Sequence, residues 1–272
     1  MRRIGFAFNP TRPHTLELRD RALEWCAHND VSGWASEAND YERLVAELVG
    51  SDCLVVLGGD GTFLRAARAL AVIDVPVLGV NSGRIGFLSK VEADGLAAAL
   101  EDLRAGHYTL EPRMMLAATL DGQRYAALND AAIVRGAQVR LIHLEVRVDG
   151  SHLATWLADG VVVATPTGST AYSFSAGGPI LDPTARNLVV TPIAAYLAAI
   201  RSIVVGPAHR VSVRFVDGGD CVLSIDGRED YALTVGTTVE IGALERPLRL
   251  IEPQGALPFW ELLRRKAALL PT

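Results

Sequence analysis

Residues 53–64 read "CLVVLGGDGTFL", from Cys53 to Leu64. The first five are apolar without alternation, the pattern of a short strand buried on both faces of a parallel sheet. Gly58, Gly59 and Gly61 then surround one carboxylate, Asp60, and the spacing of "GTFLRAARALA" predicts a helix starting near Thr62. A core strand has no use for glycine there, and a surface turn does not need three. In a parallel sheet, ligands sit outside the carboxyl ends of the strands. Glycines at that edge let the backbone approach a bulky anion and aim N–H groups at it, and a helix start adds partial positive charge. The stretch therefore reads as a phosphate cradle. A carboxylate in it would repel phosphate, unless it holds a cation or takes a proton from a hydroxyl that attacks the phosphate. The plainer reading makes Asp60 or Thr62 a helix cap and the glycines a tight turn. It suits a lone Gly-x-Gly better than Gly-Gly-Asp-Gly-Thr behind a buried strand.

Outward from this stretch, residues 1–112 alternate strand and helix. "IGFAF" (Ile4–Phe8) is a short apolar strand stopped by Asn9-Pro10. "TLELRDRALEWCAHND" and "DYERLVAELVG" have helical spacing, the second with Asp40 near its start and Gly50 at its end. "VPVLGVNSG" is a further strand and "EADGLAAALEDLRAG" a further helix. Such alternation marks an α/β layer with a parallel sheet. After Pro112 the texture changes. Residues 113–247 are β-branched runs broken by Asp-Gly or Gly-Gly, which are hairpin signals. They predict a mainly antiparallel all-β domain. The tail 248–272 contains "PFWELLRRKAALL", a helix expected to pack back on the first domain.

Composition narrows the function classes. The 272 residues carry a net charge of −5 and are 50% hydrophobic. No basic run appears, so nucleic acid is not expected as a partner, since phosphate neutralisation needs clustered cations. No apolar run reaches the roughly 18 residues of a membrane helix, and the start is too short in apolar residues for a signal peptide. Cys26, Cys53 and Cys221 are far apart and form no CxxC pair. They are read as reduced thiols of a cytoplasmic protein. The six histidines are scattered, and no side chain stands out as a metal ligand.

In the second half, "GVVVATPTGSTAYS" (160–173) reads as a strand running into a loop rich in small hydroxyls. Thr165, Thr167, Ser169, Thr170, Tyr172, Ser173 and Ser175 supply neutral donors and acceptors and one aromatic face. That surface suits ribose, amide and purine edges, although an isolated stretch of this kind would be an ordinary Thr/Ser turn.

Four segments carry a resemblance. "GGDGT" resembles the signature of the superfamily holding NAD kinases, diacylglycerol and sphingosine kinases and phosphofructokinases. "LND" (Leu128–Asp130) looks like the Asn-Glu/Asp motif of NAD kinases, "NSGRIGFLS" (Asn81–Ser89) matches their N-x-G-x-x-GFL, and "DGVVVATPTGSTAYSFSAGGPIL" (Asp159–Leu181) closely resembles their longest shared motif. The segments occur in the family's order. The resemblance implies transfer of the terminal phosphoryl group of ATP, or polyphosphate, to the 2′-hydroxyl of the adenosine ribose of NAD. It implies Asp60 as general base, with Mg²⁺ arriving with the donor. Gly58, Gly59, Gly61 and Thr62 would hold the donor phosphates, and Arg65, one turn on, could face them. Asp60 and Gly61 would also touch NAD. Asn129 and Asp130 would grip it, Asp130 accepting ribose hydroxyls. Asp159 would contact the nicotinamide end, and Thr170, Ala171, Tyr172, Ser173 and Ser175 would line the pocket. Arg140 lies where family members often place a residue touching NAD. Arg84 and Arg228 have open roles. A homodimer or homotetramer is implied as well.

The chain departs from the family pattern at three places. Leu157 stands where a basic residue is common, Ala195-Tyr196 replaces Pro-His, and Arg201-Ser202 replaces Arg-Pro. These bear on the grip of NAD rather than on the reaction. A lipid-alcohol kinase would need an apolar groove, which the "TPTGSTAYS" loop opposes. A non-catalytic NAD(H) sensor has no need of the carboxylate in the cradle.

Overall fold

The computed structural model describes residues 1–83, 86–137 and 140–267. The chain divides into two units, one of Met1–Pro112 with the segment from Leu248 on, the other Arg113–Pro247.

In the first unit Cys53–Leu57 lies inside a seven-stranded sheet. Its order is Ser32–Glu37, Arg3–Phe8, Cys53–Leu57, Val77–Asn81, Leu248–Pro253, Tyr108–Arg113, with Val91–Glu92 also paired to Val77–Asn81. The pairings from Ser32–Glu37 through to Leu248–Pro253 and Val91–Glu92 are parallel. Every side chain of Cys53–Leu57 is fully buried, as its unbroken apolar run requires. The predicted helices form at Pro13–His28, Tyr41–Leu48, Asp60–Leu70, Leu96–Ala105 and Phe259–Ala267. Pro13–His28 turns Leu18, Ala22 and Cys26 inward at four-residue spacing. The Asp40 carboxylate caps Tyr41–Leu48 by accepting the Arg43 N–H at 3.1 Å. Gly106 ends Leu96–Ala105 in the left-handed conformation. Phe259 meets Phe87 with ring centroids 5.8 Å apart, and the Lys266 ammonium sits 4.9 Å from the Phe87 ring. The terminal helix thus packs within the first unit.

Four strands of this sheet, Ser32–Glu37, Val91–Glu92, Tyr108–Arg113 and Leu248–Pro253, were not expected from the sequence, and two of them show why. Ser32–Glu37, "SGWASE", is an edge strand with only Ser36 buried. Leu248–Pro253 comes from beyond the β-rich stretch and inserts beside Val77–Asn81. Pairing partners so far apart in the chain leave no local trace.

The second unit has two six-stranded sheets. One runs Ser151–Ala158, Ile142–Val148, Val211–Asp217, Thr238–Ala243, Leu116–Leu120, Gln123–Ala127. The other runs Ile203–Val205, Leu188–Ile193, Gly160–Ala164, Asp130–Arg135, Cys221–Ile225, Glu229–Leu233. All pairings are antiparallel. One apolar cluster draws Leu116, Leu144, Phe215 and Ile241 from the first sheet and Ile133, Val161, Val163 and Leu223 from the second. The inward faces of the two sheets therefore pack on each other.

Three Asp-Gly pairs make the expected hairpins. Asp121-Gly122, Asp149-Gly150 and Asp226-Gly227 all have positive φ at both residues, as type I′ turns demand. Two other glycine signals do not. Asp159-Gly160 and Asp217-Gly218-Gly219 carry the chain from one sheet to the other. Neither Asp159 nor Gly160 has positive φ, so no tight reversal forms at that pair.

Candidate functional site

Two cavities stand out, each within one unit. In the first unit the parallel register sets Phe8 level with Glu37 and Leu57. The loops after these strands and after Val77–Asn81 therefore emerge at one edge of the sheet. They enclose a cavity of about 420 Å³ lined by Asn9, Arg12, Thr15, Gly58, Gly59, Gly61, Thr62, Arg65, Asn81, Ser82 and Gly83. The helix begins at Asp60, two residues before the expected Thr62, with Gly59 at the cap and no side-chain cap. Its first bonds run from the N–H groups of Thr62 and Phe63 to Gly59 O, at 2.8 and 3.2 Å. Gly58 has φ 152, and a Cβ on it would lie 2.6 Å from Thr62 Oγ1. Both facts demand glycine.

Asp60 does not cap its own helix. Its carboxylate accepts the Phe87 N–H at 2.8 Å through Oδ2 and the Leu88 N–H at 3.1 Å through Oδ1. A Cβ on Gly86 would sit 1.9 Å from Asp60 Oδ1, so only glycine lets that strand of chain lie against the carboxylate. Ser89 Oγ donates to Gly58 O at 3.0 Å. The "GFLS" segment is thus sewn to the cradle, a use of the motif that spacing alone did not reveal. Among the described residues neither Arg12 nor Arg65 has an acidic partner. Two guanidinium groups at a glycine-lined helix start make the cavity suited to an anion.

In the second unit a cavity of about 610 Å³ is lined by Asn129, Asp130, Arg135, Ala171, Tyr172, Ser224, Asp226, Gly227 and Asp230 among others. Its floor is the turn Leu128–Asp130, held from two sides. On one, the buried Asp226 carboxylate accepts the N–H groups of Leu128, Asn129 and Asp130 at 3.1, 2.8 and 3.1 Å. On the other, Thr165 donates Oγ1–H to Leu128 O at 2.5 Å and N–H to Asn129 O at 2.8 Å. A Cβ on Gly168 would lie 2.1 Å from Asn129 O. Burial pushes the Asp130 carboxyl up to about 7, and the charge of Asp226 adds to the push. Burial also raises Asp226, while the three amide donors pull it back down. Tyr172 is raised by burial and then by the Asp159 and Asp130 charges, so its phenol stays a donor.

The expected pocket residues separate here. Asn129, Asp130, Ala171 and Tyr172 line the cavity; Arg140, Asp159, Thr170, Ser173 and Ser175 do not. Several hydroxyls serve the loop itself. Ser169 donates to Pro166 O at 2.6 Å and Thr170 to Thr167 O at 3.2 Å. Ser173 is fully buried with its Oγ 3.3 Å from Thr191 Oγ1. Asp159 is paired with Arg135, Nε to Oδ1 2.6 Å. Arg140 and Tyr196 are exposed, and Arg84 falls outside the described residues. Arg135 and Asp230 carried no site signal in the sequence; Asp226 stood in "IDG", a further segment similar to the family's, but with no role assigned to it. In the first unit Asn9, Arg12 and Thr15 were likewise unforeseen: Asn9 directly follows a parallel strand, whereas Arg12 and Thr15 stand at and inside the start of the helix Pro13–His28. Asn81, which ends a strand, stood in the matched "NSGRIGFLS" with no role assigned to it.

Residues 26–108 match the model of the ATP-NAD kinase N-terminal domain, and residues 128–253 that of the ATP-NAD kinase C-terminal domain. The NAD kinase of Symbiobacterium thermophilum is 47% identical over 221 residues, 79% of this chain and 78% of that one. Among solved structures, yeast NADH kinase complexed with NADH superposes with a TM-score of 0.85 at 24% identity, covering 99% of this chain and 87% of the other. An NAD kinase from Archaeoglobus fulgidus in complex with ATP gives 0.80 at 23% identity, covering 99% and 100%.

Proposed function

The chain belongs to the ATP-NAD kinase family and is an NAD kinase, and from that premise we propose that it makes NADP from NAD and ATP, with Asp60 as general base. The observation that carries the base assignment is the fixing of the Asp60 carboxylate by the Phe87 and Leu88 N–H groups. Each oxygen keeps a second lone pair for an incoming hydroxyl, and the carboxylate reorganises little when the proton moves.

The glycine-lined cavity with Arg12, Arg65 and Thr62 receives the donor phosphates, where the guanidinium groups offset the charge of the transferring group. Among the described residues no group of three or more His, Cys, Asp or Glu side chains could cage a metal ion. Mg²⁺ is usually held by one or two carboxylates plus substrate phosphates; Asp60 would offer the carboxylate of this loop. Bound with the donor, Mg²⁺ supplies charge neutralisation at the phosphates. The cavity of the second unit receives NAD. Asp130 and Asn129 accept and donate to ribose hydroxyls, Tyr172 offers a ring face, and Arg135, steered by Asp159, meets anionic or amide groups.

No described helix is long and apolar enough to cross a membrane. Three buried free cysteines support a reducing, cytoplasmic setting. Large side chains left exposed on the second unit, such as Phe174, Tyr196 and Leu197, support a homodimer or homotetramer.

The test is NADP⁺ formation from NAD with Mg²⁺ and ATP, with polyphosphate in its place, and with a lipid alcohol as acceptor. Tight NAD binding with no NADP⁺ from either donor overturns the reading in favour of a sensor.

A further inference from the structure

The stretch that holds Asp60 is itself held from a distant part of the chain. Phe87 and Leu88 give their N–H groups to the Asp60 carboxylate, so the place of that carboxylate depends on where residues 86–90 run. On one side this stretch is fixed by the sheet. Ser89 Oγ donates to Gly58 O at 3.0 Å, and the Lys90 N–H to Gly79 O at 3.0 Å. A Cβ on Gly79 would lie 2.6 Å from Leu88 O, so the stretch lies directly against the strand Val77–Asn81. The remaining contacts come from the returning segment that begins at Leu248. Lys90 Nζ stands 3.0 Å from Glu252 Oε1, and the two side chains are 4% and 16% exposed. Glu252 belongs to the strand Leu248–Pro253, which pairs with Val77–Asn81. Phe259 opens the helix Phe259–Ala267 and meets the Phe87 ring with centroids 5.8 Å apart. From the last turn of that helix the Lys266 ammonium reaches to 4.9 Å from the same ring. The buried Leu262 anchors the helix between them.

Glu252, Phe259 and Lys266 line neither the cradle nor the cavity of the second unit. Their contacts fall on the two ends of the short run that carries the donor amides. Ring–ring and cation–ring contacts are directional, so they fix where the Phe87 side chain lies, and with it the backbone beside it. A buried ammonium is costly without its carboxylate, so Glu252 fixes where Lys90 lies. Resting on the assignment of Asp60 as general base, we propose that the returning segment is a brace for that base, with Glu252 and Phe259 as positioning residues. Phe259 holds Phe87, Glu252 holds Lys90, and the Phe87 and Leu88 amides between them keep the carboxylate aimed at the incoming hydroxyl. The brace acts on turnover rather than on either substrate's grip, because what it sets is the approach of one carboxylate to one proton.

The experiment measures kcat, KM for NAD and KM for ATP, with Tm as the check on folding. The proteins are the wild type, Glu252→Gln, Phe259→Tyr and Phe259→Ala, the last also combined with Asp60→Asn. Phe259→Ala lowers kcat by about tenfold, a part of the roughly 10²-fold that a 1 Å misplacement can cost, while both KM values stay within about twofold. Glu252→Gln lowers kcat in the same way, and Phe259→Tyr, which keeps the ring, restores it. In the Asp60→Asn background Phe259→Ala lowers kcat little further, because the group it positions no longer takes the proton. If Phe259→Ala does not fold, Phe259→Leu takes its place with the same expectation. A helix that only adds stability lowers Tm and leaves kcat of the folded enzyme where it was; that result overturns the inference. A fall in kcat by the same factor with and without the Asp60 carboxylate overturns it as well. Asp60→Asn alone separates the two levels. Turnover within a few-fold of wild type removes the base reading on which the brace rests. The expected large fall in Asp60→Asn, beside unmoved kcat in Phe259→Ala and Glu252→Gln, removes only the brace.

Discussion

Asp226 and Asp130 are joined twice, once main chain to main chain and once main chain to side chain: Asp226 donates its N–H to Asp130 O at 2.9 Å, and Asp226 Oδ1 accepts the Asp130 N–H at 3.1 Å. The same carboxylate also takes the N–H groups of Leu128 and Asn129. A turn residue with φ 52 thus sets the orientation of the two side chains assigned to grip ribose. In Asp226→Ala three buried donors lose their acceptor, each worth about 1–3 kcal/mol, partly offset by removal of a buried carboxylate. A net loss of about 3 kcal/mol is expected, a fall in Tm on the order of 10 °C. Asp226→Asn keeps one acceptor oxygen and tolerates positive φ, so it loses less. In both, KM for NAD rises while KM for ATP holds. An unchanged KM for NAD in a folded Asp226→Asn protein would show that the clamp does not serve binding.

Asp130 gives a pH signature. Its carboxyl is raised from 3.8 to about 7 by burial and by the neighbouring Asp226 charge. Above 3.8 the unfolded chain is ionised while the folded one still holds the proton. Stability from this group is therefore full below about pH 4, declines as pH rises, and levels off past about 7. Asp130→Asn removes this slope, so urea midpoints of the two proteins diverge between pH 4 and 7. As an acceptor of ribose hydroxyls, the ionised form binds better, and wild-type KM for NAD falls as pH passes 7. A KM that is flat with pH in the wild type argues against Asp130 as the ribose acceptor.

Asp60 combines two duties. Asp60→Asn retains one carbonyl to accept from Phe87 or Leu88 but turns an amide N–H₂ toward the other donor, a cost of about 1 kcal/mol. Turnover falls by about 10²–10⁴, the usual share of a positioned base, and KM for NAD changes little. Turnover within a few-fold of wild type would take Asp60 out of the base role and leave it as an anchor for Phe87 and Leu88.

Gly168→Ala tests the other side of the Leu128–Asp130 turn. The new methyl would fall 2.1 Å from Asn129 O, a backbone atom also fixed by Thr165. The strain is about 1–3 kcal/mol, and the shift of Asn129 raises KM for NAD with kcat less affected. Parallel measurement of Tm and of both KM values checks this; a loss of ATP affinity instead would place the turn's effect elsewhere.

Much of this protein is written locally. The apolar run of Cys53–Leu57, helical periodicity in Asp60–Leu70 and Leu96–Ala105, and the Asp-Gly hairpins at Asp121, Asp149 and Asp226 follow from near-neighbour sterics and burial, which act over a few residues. The glycine loop between strand and helix was legible for the same reason: three glycines in five positions at a strand end call for a close turn of the backbone. The tertiary structure alone decided what depends on distant residues meeting. Ser32–Glu37 and Leu248–Pro253 are strands because a sheet edge and a gap beside Val77–Asn81 pair them, not because their side chains alternate. Asp159-Gly160 and Gly218-Gly219 carry the chain between sheets because the two inward faces must cover one another. Asp226 became the clamp of the Leu128–Asp130 turn, and Phe87 and Leu88 the donors to Asp60, through hydrogen bonds across 96 to 98 residues and 27 to 28 residues respectively. Backbone N–H groups are the same in every residue, so a sequence gives no mark of which carboxylate they will find.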